Sequence, residues 1–597
     1  MATTISQREQ KKTERKADKS PQAESSGEAG KRPWFASTLV LSMIGAVLLY
    51  LAFPPVNWWP LAWVAIVPWL LLIRMPNLPG RRPYRVLYGV GFLHWLVLVY
   101  WVQLGHWAAR FGWIAIALYL ACYLPVFVGL SRVAVHRFRV PLVFAAPVIW
   151  VGLECLRGWL LTGFSMALLA HTQIHFLPMV QISDLGGAYA VSFVIVTFAV
   201  ALAGLVPLKW FESGDSKTGE TPIQWWPMPV AIALLGMTLA YGYWRLGQER
   251  PQTETDPARI ALIQGSIDTN FYDPTLNQRM YDQYRELTAQ ALQQQPDAIV
   301  WPESTLPISM VDIDRSGEIQ KAPWLPQDDE HFQQEINARQ RDFRMVAFTM
   351  GFLTEDQHVP LLLGVGTLQL GDHPPRRLNS AVFVDEQGKV AVDEHDRVTS
   401  AYHKLHPVMF GEYAPGGKLF PWIYKLMPFP EGLTPGEKPM AFEIAELQMC
   451  PSICFENTVP HLIRRQVVEL QREGIDPDVL VTLSNDGWFF GSAELDMHLT
   501  CGRFRAIELR KPALVAANTG ISAHIADDGT LLQEGPRRDT AVVMAEVSPA
   551  WRSSLYTRWG DVFANFCLLA SVLIAAGGFA LRHREKRQST ATSQQPS

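Results

Sequence analysis

Long apolar runs at both ends of the chain constrain it more than any other feature. Residues 34–53 form one such run, and six more follow at 58–73, 86–104, 113–130, 140–156, 188–205 and 228–244. A last run covers 562–581. Crossing a bilayer as a helix takes ~20 apolar residues. A cleavable signal peptide is the alternative for 34–53, but no small-residue cleavage site precedes Pro54-Pro55. The stretch between the last two runs reads as ordinary soluble sequence. The overall hydrophobic fraction of 49% averages over this division. The pattern predicts a membrane helical bundle of seven N-terminal spans plus one C-terminal span, carrying a soluble domain.

The expected division is a disordered cytoplasmic tail (1–33), a seven-span membrane domain (34–250), a soluble domain (257–549), a C-terminal span (560–581) and a cytoplasmic tail (582–597). Residues 1–33 are polar, with almost nothing to bury. Basic residues set the orientation. Arg74, Arg81, Arg82 and Arg85 follow the second run, Arg132, Arg137 and Arg139 the fourth, and Arg582, Arg584, Lys586 and Arg587 the last. Loop 54–57 has no charge, and 105–112 has only Arg110. The positive-inside rule places both termini in the cytoplasm and the soluble domain outside. In a bacterium with two membranes that is the periplasm, with the spans in the inner membrane.

Within the soluble block, strands are expected at 259–263, 298–301, 345–352, 361–367, 441–449, 479–483, 513–517 and 522–526. Helices are expected at 275–294 and 495–509, and a hairpin at 380–392. Strands alternating with helices indicate a layered α/β domain. The formal net charge of −4 gives no attraction to nucleic acid. Six cysteines in 597 residues are too few for a disulfide scaffold. Cys122, Cys155 and Cys567 lie in apolar runs and read as small buried hydrophobes.

Cys454 is the informative cysteine, at a strand end followed by Phe455-Glu456-Asn457. A thiol there can be exposed and activated. Glu303, ending an apolar strand, is a carboxylate able to take its proton. Lys404 is an ammonium able to favour a thiolate or an oxyanion. A Cys450–Cys454 disulfide would need Cα atoms within about 7 Å, and an extended strand holds them roughly 13 Å apart. No zinc-like spacing joins Cys450, Cys454 and Cys501, so no metal or other cofactor is expected. His498, on a helix, reads as a packing or supporting residue.

Two further features await the structure. Glu154 and Arg157 stand three apart on one helix face, where they read either as a structural ion pair or as a substrate contact. The segment after them, to about Gly187, could form a vestibule. The apolar run 419–429, with Trp422, Ile423 and Phe429, reads either as soluble-domain core or as a lipid-dipping lid over the site.

Trp301-Pro302-Glu303, Lys404 with Phe410-Gly411-Glu412-Tyr413, Ile453-Cys454-Phe455-Glu456 and Ser484-Asn485-Asp486-Gly487-Trp488-Phe489 occur in that order. So do Arg503-Phe504-Arg505-Ala506-Ile507-Glu508 and Asn518-Thr519-Gly520. Together with the runs, they resemble the apolipoprotein N-acyltransferase family of the nitrilase (carbon–nitrogen hydrolase) superfamily. The resemblance implies an αββα sandwich with Glu303 as general base, Lys404 as oxyanion partner and Cys454 as nucleophile. It implies Glu412, Glu456 and Trp488 as supporting residues. The implied reaction moves a fatty acyl chain from a phospholipid, through a cysteine thioester, to the α-amino group of a diacylglyceryl-modified apolipoprotein. The enzyme is expected to act as a monomer among membrane lipids. The competing readings are a membrane-anchored amidase using water, and a non-catalytic membrane scaffold. Phe455 stands where the family often has Tyr, and Ser165 where Pro is common. Segments 312–344 and 357–375 look long for the family.

Overall fold

In the computed structural model, the described residues are 33–211, 223–251, 256–270, 273–350, 352–354, 357–417, 419–426 and 432–592. Of the expected disordered tail (1–33), residues 1–32 lie outside them, as does Phe429.

The apolar runs form helices. Four are long and apolar enough to cross a membrane: Ala109–Arg137, Leu142–Thr162, Ala188–Leu205 and Val562–Gln588. Thr38–Ala52 and Trp59–Arg74 are shorter apolar helices. Pro83–Leu98 and Pro227–Leu246 are helical as well. Arginines gather at one end of this bundle. Arg132 donates to the carbonyls of Leu72 and Pro76, Arg74 to those of Ala203 and Val206, and Arg137 pairs with Glu585. Arg74 and Arg132 thus satisfy carbonyls at helix ends that would otherwise lack partners.

Among the described residues the soluble domain has two large sheets and one two-stranded hairpin. Its first half supplies β1 (Ala258–Gln264), β2 (Ala298–Val300), β3 (Met310–Ile313), a small hairpin of β4 (Phe352–Thr354) and β5 (Gln357–His358), then β6 (Leu361–Leu370), β7 (Arg376–Val384) and β8 (Ala401–His403). Its second half supplies β9 (Phe442–Ile444), β10 (Leu447–Ile453), β11 (Val479–Asn485), β12 (Ala513–Asn518), β13 (Ala523–Ile525) and β14 (Leu531–Glu534). The last strand, β15 (Ala541–Val547), returns to pair antiparallel with β1. The orders are β15-β1-β2-β6-β7-β8, with β3 beside β6, and β14-β13-β12-β11-β10-β9.

Strand alternation builds four layers. Ile260, Leu262, Met449, Val481, Leu514 and Val543 meet between the sheets. Their neighbours Ala261, Ile263 and Ile299 face helices Leu276–Leu292 and Asp329–Met350. On the other side Cys450, Leu480 and Val515 face helices Pro460–Arg472 and Glu494–Leu509. Both faces of each sheet are buried, so the strands read as near-continuous apolar runs. Helix Glu494–Leu509 is itself buried on two sides: Leu499 and Ala506 face the sheet, while Met497, Cys501, Phe504 and Ile507 face the membrane bundle.

Several expectations are corrected. Residues 345–350 end helix Asp329–Met350 rather than forming a strand, because Phe332, Ile336, Phe343, Ala347 and Met350 follow helical spacing along one buried face. The expected strand 441–449 is a hairpin: Ala445 and Glu446, at φ +50° and +63°, turn β9 into β10. The expected hairpin 380–392 has its turn at Asp385–Gly388, but β7 pairs with β6 and β8 instead of with the returning arm. The two segments that look long fold on one another. β3 pairs with the far end of β6, and Ile313, Leu325, Phe332 and Leu370 close a small core of their own.

Candidate active site

The end of each of three strands delivers one candidate group. Glu303 follows β2, Lys404 follows β8 and Cys454 follows β10. At Glu303 the chain turns sharply, and the next residue, Ser304, has φ +51°. Only a glycine opposite allows that turn: a Cβ on Gly364 of β6 would lie 2.1 Å from the Pro302 carbonyl oxygen and 2.6 Å from the Glu303 Cα. Cys454 also has φ +51°, at the switch from β10 into a 3-10 turn. Strained backbone of this kind concentrates at functional sites.

Lys404 is 1% exposed and bridges two carboxylates, with Nζ 3.1 Å from Glu303 Oε1 and 2.7 Å from Glu412 Oε1. Burial alone would strip its proton, but the Glu303 and Glu412 charges hold its pKa well above the ordinary lysine value. Two of its three N–H bonds are committed to the carboxylates, and the third is left for an incoming group. Glu303 Oε1 also accepts from Asn379 Nδ2 at 2.6 Å, and Oε2 from the Asn485 N–H at 3.0 Å. Burial raises the Glu303 pKa, opposed by Lys404. Burial, then the Glu303 carboxylate, raises the Cys454 thiol well above its usual range. The proton therefore rests on sulfur, and donor and acceptor are raised together. The thiol is buried, while the residue as a whole is partly exposed.

Glu412 orients the lysine: its other oxygen accepts from the Val408 N–H at 2.7 Å. Glu456 does not touch the lysine ammonium. It is fully buried and ties two strand ends together, accepting from Leu405 N and His406 N through Oε1, and from Ile453 N and Tyr402 Oη through Oε2. Trp488 sits on the turn Asp486–Phe489 and lies against Gly105 of the membrane bundle, whose added Cβ would meet the indole at 2.9 Å. Beside it Phe489 meets Trp101 edge-on, with ring centroids 5.1 Å apart.

The site rests directly on the membrane bundle. His406, two residues beyond Lys404, hydrogen-bonds the Thr162 carbonyl at 2.8 Å, and His461 stacks on Trp159 at 3.7 Å. Glu154 and Arg157 form no ion pair among the described residues. Glu154 accepts from the Leu169 N–H and Arg157 donates to the Ala167 carbonyl. The segment they hold, 163–174, is buried, and its Ala167 and Leu169 line a cavity together with Glu154, Arg157, His94 and Trp95. Buried backbone groups need such partners.

Of the apolar run, Leu419, Phe420 and Trp422 are exposed and Ile423 is half-buried, so this part is not soluble-domain core. All six cysteines are free, and Cys450 packs on the helix side of its sheet. Two residues of the site escaped sequence reasoning. Asn379 lies in β7 between Arg376-Arg377-Leu378 and Ser380, and nothing in that local pattern marks it. Asn518, within a quoted motif, bonds Asn485 Oδ1 at 2.9 Å and so steadies the loop that faces Glu303.

Comparison with known proteins agrees with this architecture. Residues 45–201 match the model of the apolipoprotein N-acyltransferase N-terminal domain, and 259–555 match that of the carbon–nitrogen hydrolases. An apolipoprotein N-acyltransferase of Geobacter metallireducens is 31% identical over 559 residues, covering 90% of this chain and 95% of its own. One from Rhodopirellula baltica is 30% identical over 547 residues, covering 86% and 92%. Among solved structures, an amidase from a Nesterenkonia species covers 53% of this chain and 100% of its own, at 17% identity and a TM-score of 0.33. Both family models and relatives matched along most of their length lead to one conclusion: this chain is a membrane enzyme of the apolipoprotein N-acyltransferase family.

Proposed function

We propose that Cys454 carries a fatty acyl group as a thioester from a phospholipid to the α-amino group of a diacylglyceryl-cysteine on an apolipoprotein. The observation that carries the residue roles is the Lys404 ammonium held between Glu303 and Glu412. Glu303 takes the thiol proton as sulfur bonds to the ester carbonyl carbon. The developing oxyanion is met by the remaining Lys404 N–H and by the Phe455 N–H at the head of the turn. Collapse breaks the ester C–O bond, and the lysophospholipid leaves with the proton from Glu303. The amine then attacks the thioester, Glu303 accepts its proton, and the thiolate departs and is reprotonated.

The seven-plus-one arrangement and the external placement of the soluble domain belong to the same proposal. In their support, the arginine-rich end of the bundle is opposite the end that meets the soluble domain through Thr162, Trp159 and Gly105. Trp422 and Ile423, with Phe429 outside the described residues, would form a lid that dips into the outer leaflet and steers acyl chains to the thiol. A monomer suffices, because all the named groups come from one chain.

The test is trapping. Incubated with a phospholipid labelled in its acyl chain, the full-length protein should gain label on the Cys454 peptide, and a diacylglyceryl-cysteine peptide should discharge it as amide. Cys454→Ala should gain none. Label retained by Cys454→Ala, or discharged only by water, would sink the transferase reading.

A further inference from the structure

His498 is 3% exposed and lies near the N-terminal end of helix Glu494–Leu509. Its Nε2 is 3.1 Å from the carbonyl oxygen of Cys454. Its Nδ1 is 3.1 Å from Asp486 Oδ1 and 3.9 Å from Glu494 Oε1. A carbonyl oxygen and carboxylate oxygens accept hydrogen bonds, so both ring nitrogens must donate and the ring is an imidazolium. Burial would remove that charge, but the Asp486 carboxylate, then Glu494, outweigh it and hold the pKa at about 9. Ser484 Oγ donates to the same Asp486 oxygen at 2.6 Å and fixes it in turn. A buried cation, itself held on the far side, thus grips one carbonyl, that of the reactive cysteine.

That carbonyl belongs to a strained residue. At φ +51° Cys454 occupies the left-handed region, which is unfavourable for an ordinary L residue. The Cys454–Phe455 peptide is planar, so its N–H points opposite to its C=O. Among the described residues the Phe455 N–H donates no hydrogen bond to the protein. We infer that His498 is a positioning residue: by gripping the Cys454 carbonyl it turns the Phe455 N–H toward the place where the acyl oxyanion forms. The inference rests on the thioester reading above and adds to it a group that never touches substrate.

Two reactions of the same thiol separate this role from general support. Acylation by an ester builds an oxyanion, whereas alkylation by iodoacetamide displaces iodide and builds none. Both are followed on the Cys454 peptide of the full-length protein in detergent, for wild type, His498→Ala and His498→Gln. His498→Ala should acylate about 100-fold more slowly, the loss of one oxyanion donor. Its alkylation should stay within about threefold of wild type, since that step follows thiolate and access. His498→Gln, whose amide can still donate, should recover part of the lost acylation. If His498→Ala does not fold, the Gln variant alone carries the comparison, with acylation again falling more than alkylation.

Equal slowing of both reactions, or slowing of neither, overturns the inference. So does wild-type acylation that is abolished by a chelator and restored by zinc, because Asp486, Glu494 and His498 would then be metal ligands. Should the wild type alkylate at Cys454 yet never acylate there, the thioester reading falls first, and the two failures are distinguishable.

Discussion

Gly364→Ala tests whether the placement of Glu303 limits catalysis, without altering any reactive group. The new methyl would lie 2.1 Å from the Pro302 oxygen, 2.7 Å from its carbonyl carbon and 2.6 Å from the Glu303 Cα. Carbon atoms pack at about 3.5–4.0 Å, so backbone on one side must retreat by about 1 Å. No side-chain rotation can relieve the clash, because every atom met is main chain or Cα. The shift is passed to a carboxylate held by Lys404 at 3.1 Å, Asn379 at 2.6 Å and Asn485 at 3.0 Å. A misplacement of that size costs about 100-fold in rate, and overpacking costs about 1–3 kcal/mol in stability. The assay is single-turnover acyl-enzyme formation with labelled phospholipid, beside a thermal melt. Gly366→Ala, two residues along the same strand, is the control. Its methyl would meet only Ser309 Oγ at 3.6 Å, an ordinary contact, and it should acylate as wild type. If Gly364→Ala acylates as fast as Gly366→Ala, the location of Glu303 does not govern the rate and its role as base is refuted.

Three other outcomes are expected. The folded pKa of His498 is about 9, above the ordinary 6.5, so its contribution is complete below about pH 6.5 and lost as pH rises through about 9. Over that window the wild type should therefore lose up to about 3 kcal/mol more stability than His498→Gln; parallel curves would contradict this. Replacing Trp422 and Ile423 with Ser should slow acylation by phospholipid and spare a short, water-soluble ester donor, and equal effects on both donors would end the lid reading. A cysteine at Asp372, an exposed position near the far end of β6, should react with an impermeant maleimide from outside the inner membrane; labelling only from the cytoplasm would reverse the orientation.

Much of this architecture is legible in residue order because its signals are local. Runs of apolar residues gave the helices. The strand ends marked Glu303, Lys404 and Cys454 as candidates, and the first two lie 3.1 Å apart. What stayed hidden depends on contacts distant in sequence. Phe332 to Met350 reads as helix only when its whole face is considered, and a short window centred on Met345 looks like a strand. The placement of Glu154 and Arg157 on one helix face suggested an ion pair. Their actual partners, Leu169 and Ala167, are backbone groups of a turn whose path no side-chain pattern announces. The grip of His498 on Cys454 spans 44 positions and ends on a carbonyl, which every residue possesses.

The pairing of β1 with β15 has a consequence for how the molecule is made. Ala258 finds its partner only at Val547, roughly 290 residues later. At about 5–20 residues per second, translation takes about 15–60 s to deliver that partner. Throughout this interval the growing chain presents an open strand edge to whatever surrounds it. Helix Glu494–Leu509 adds a second delay, because the bundle surface it covers is synthesised long before it. The bundle in turn receives its last helix, Val562–Thr592, against Leu142–Trp159 only at the end of the chain. Assembly is therefore closed from the C-terminal side, and termination between Gln264 and Ala541 should leave the β1 edge unsealed, a substrate for chaperones and proteases in place of a slower enzyme.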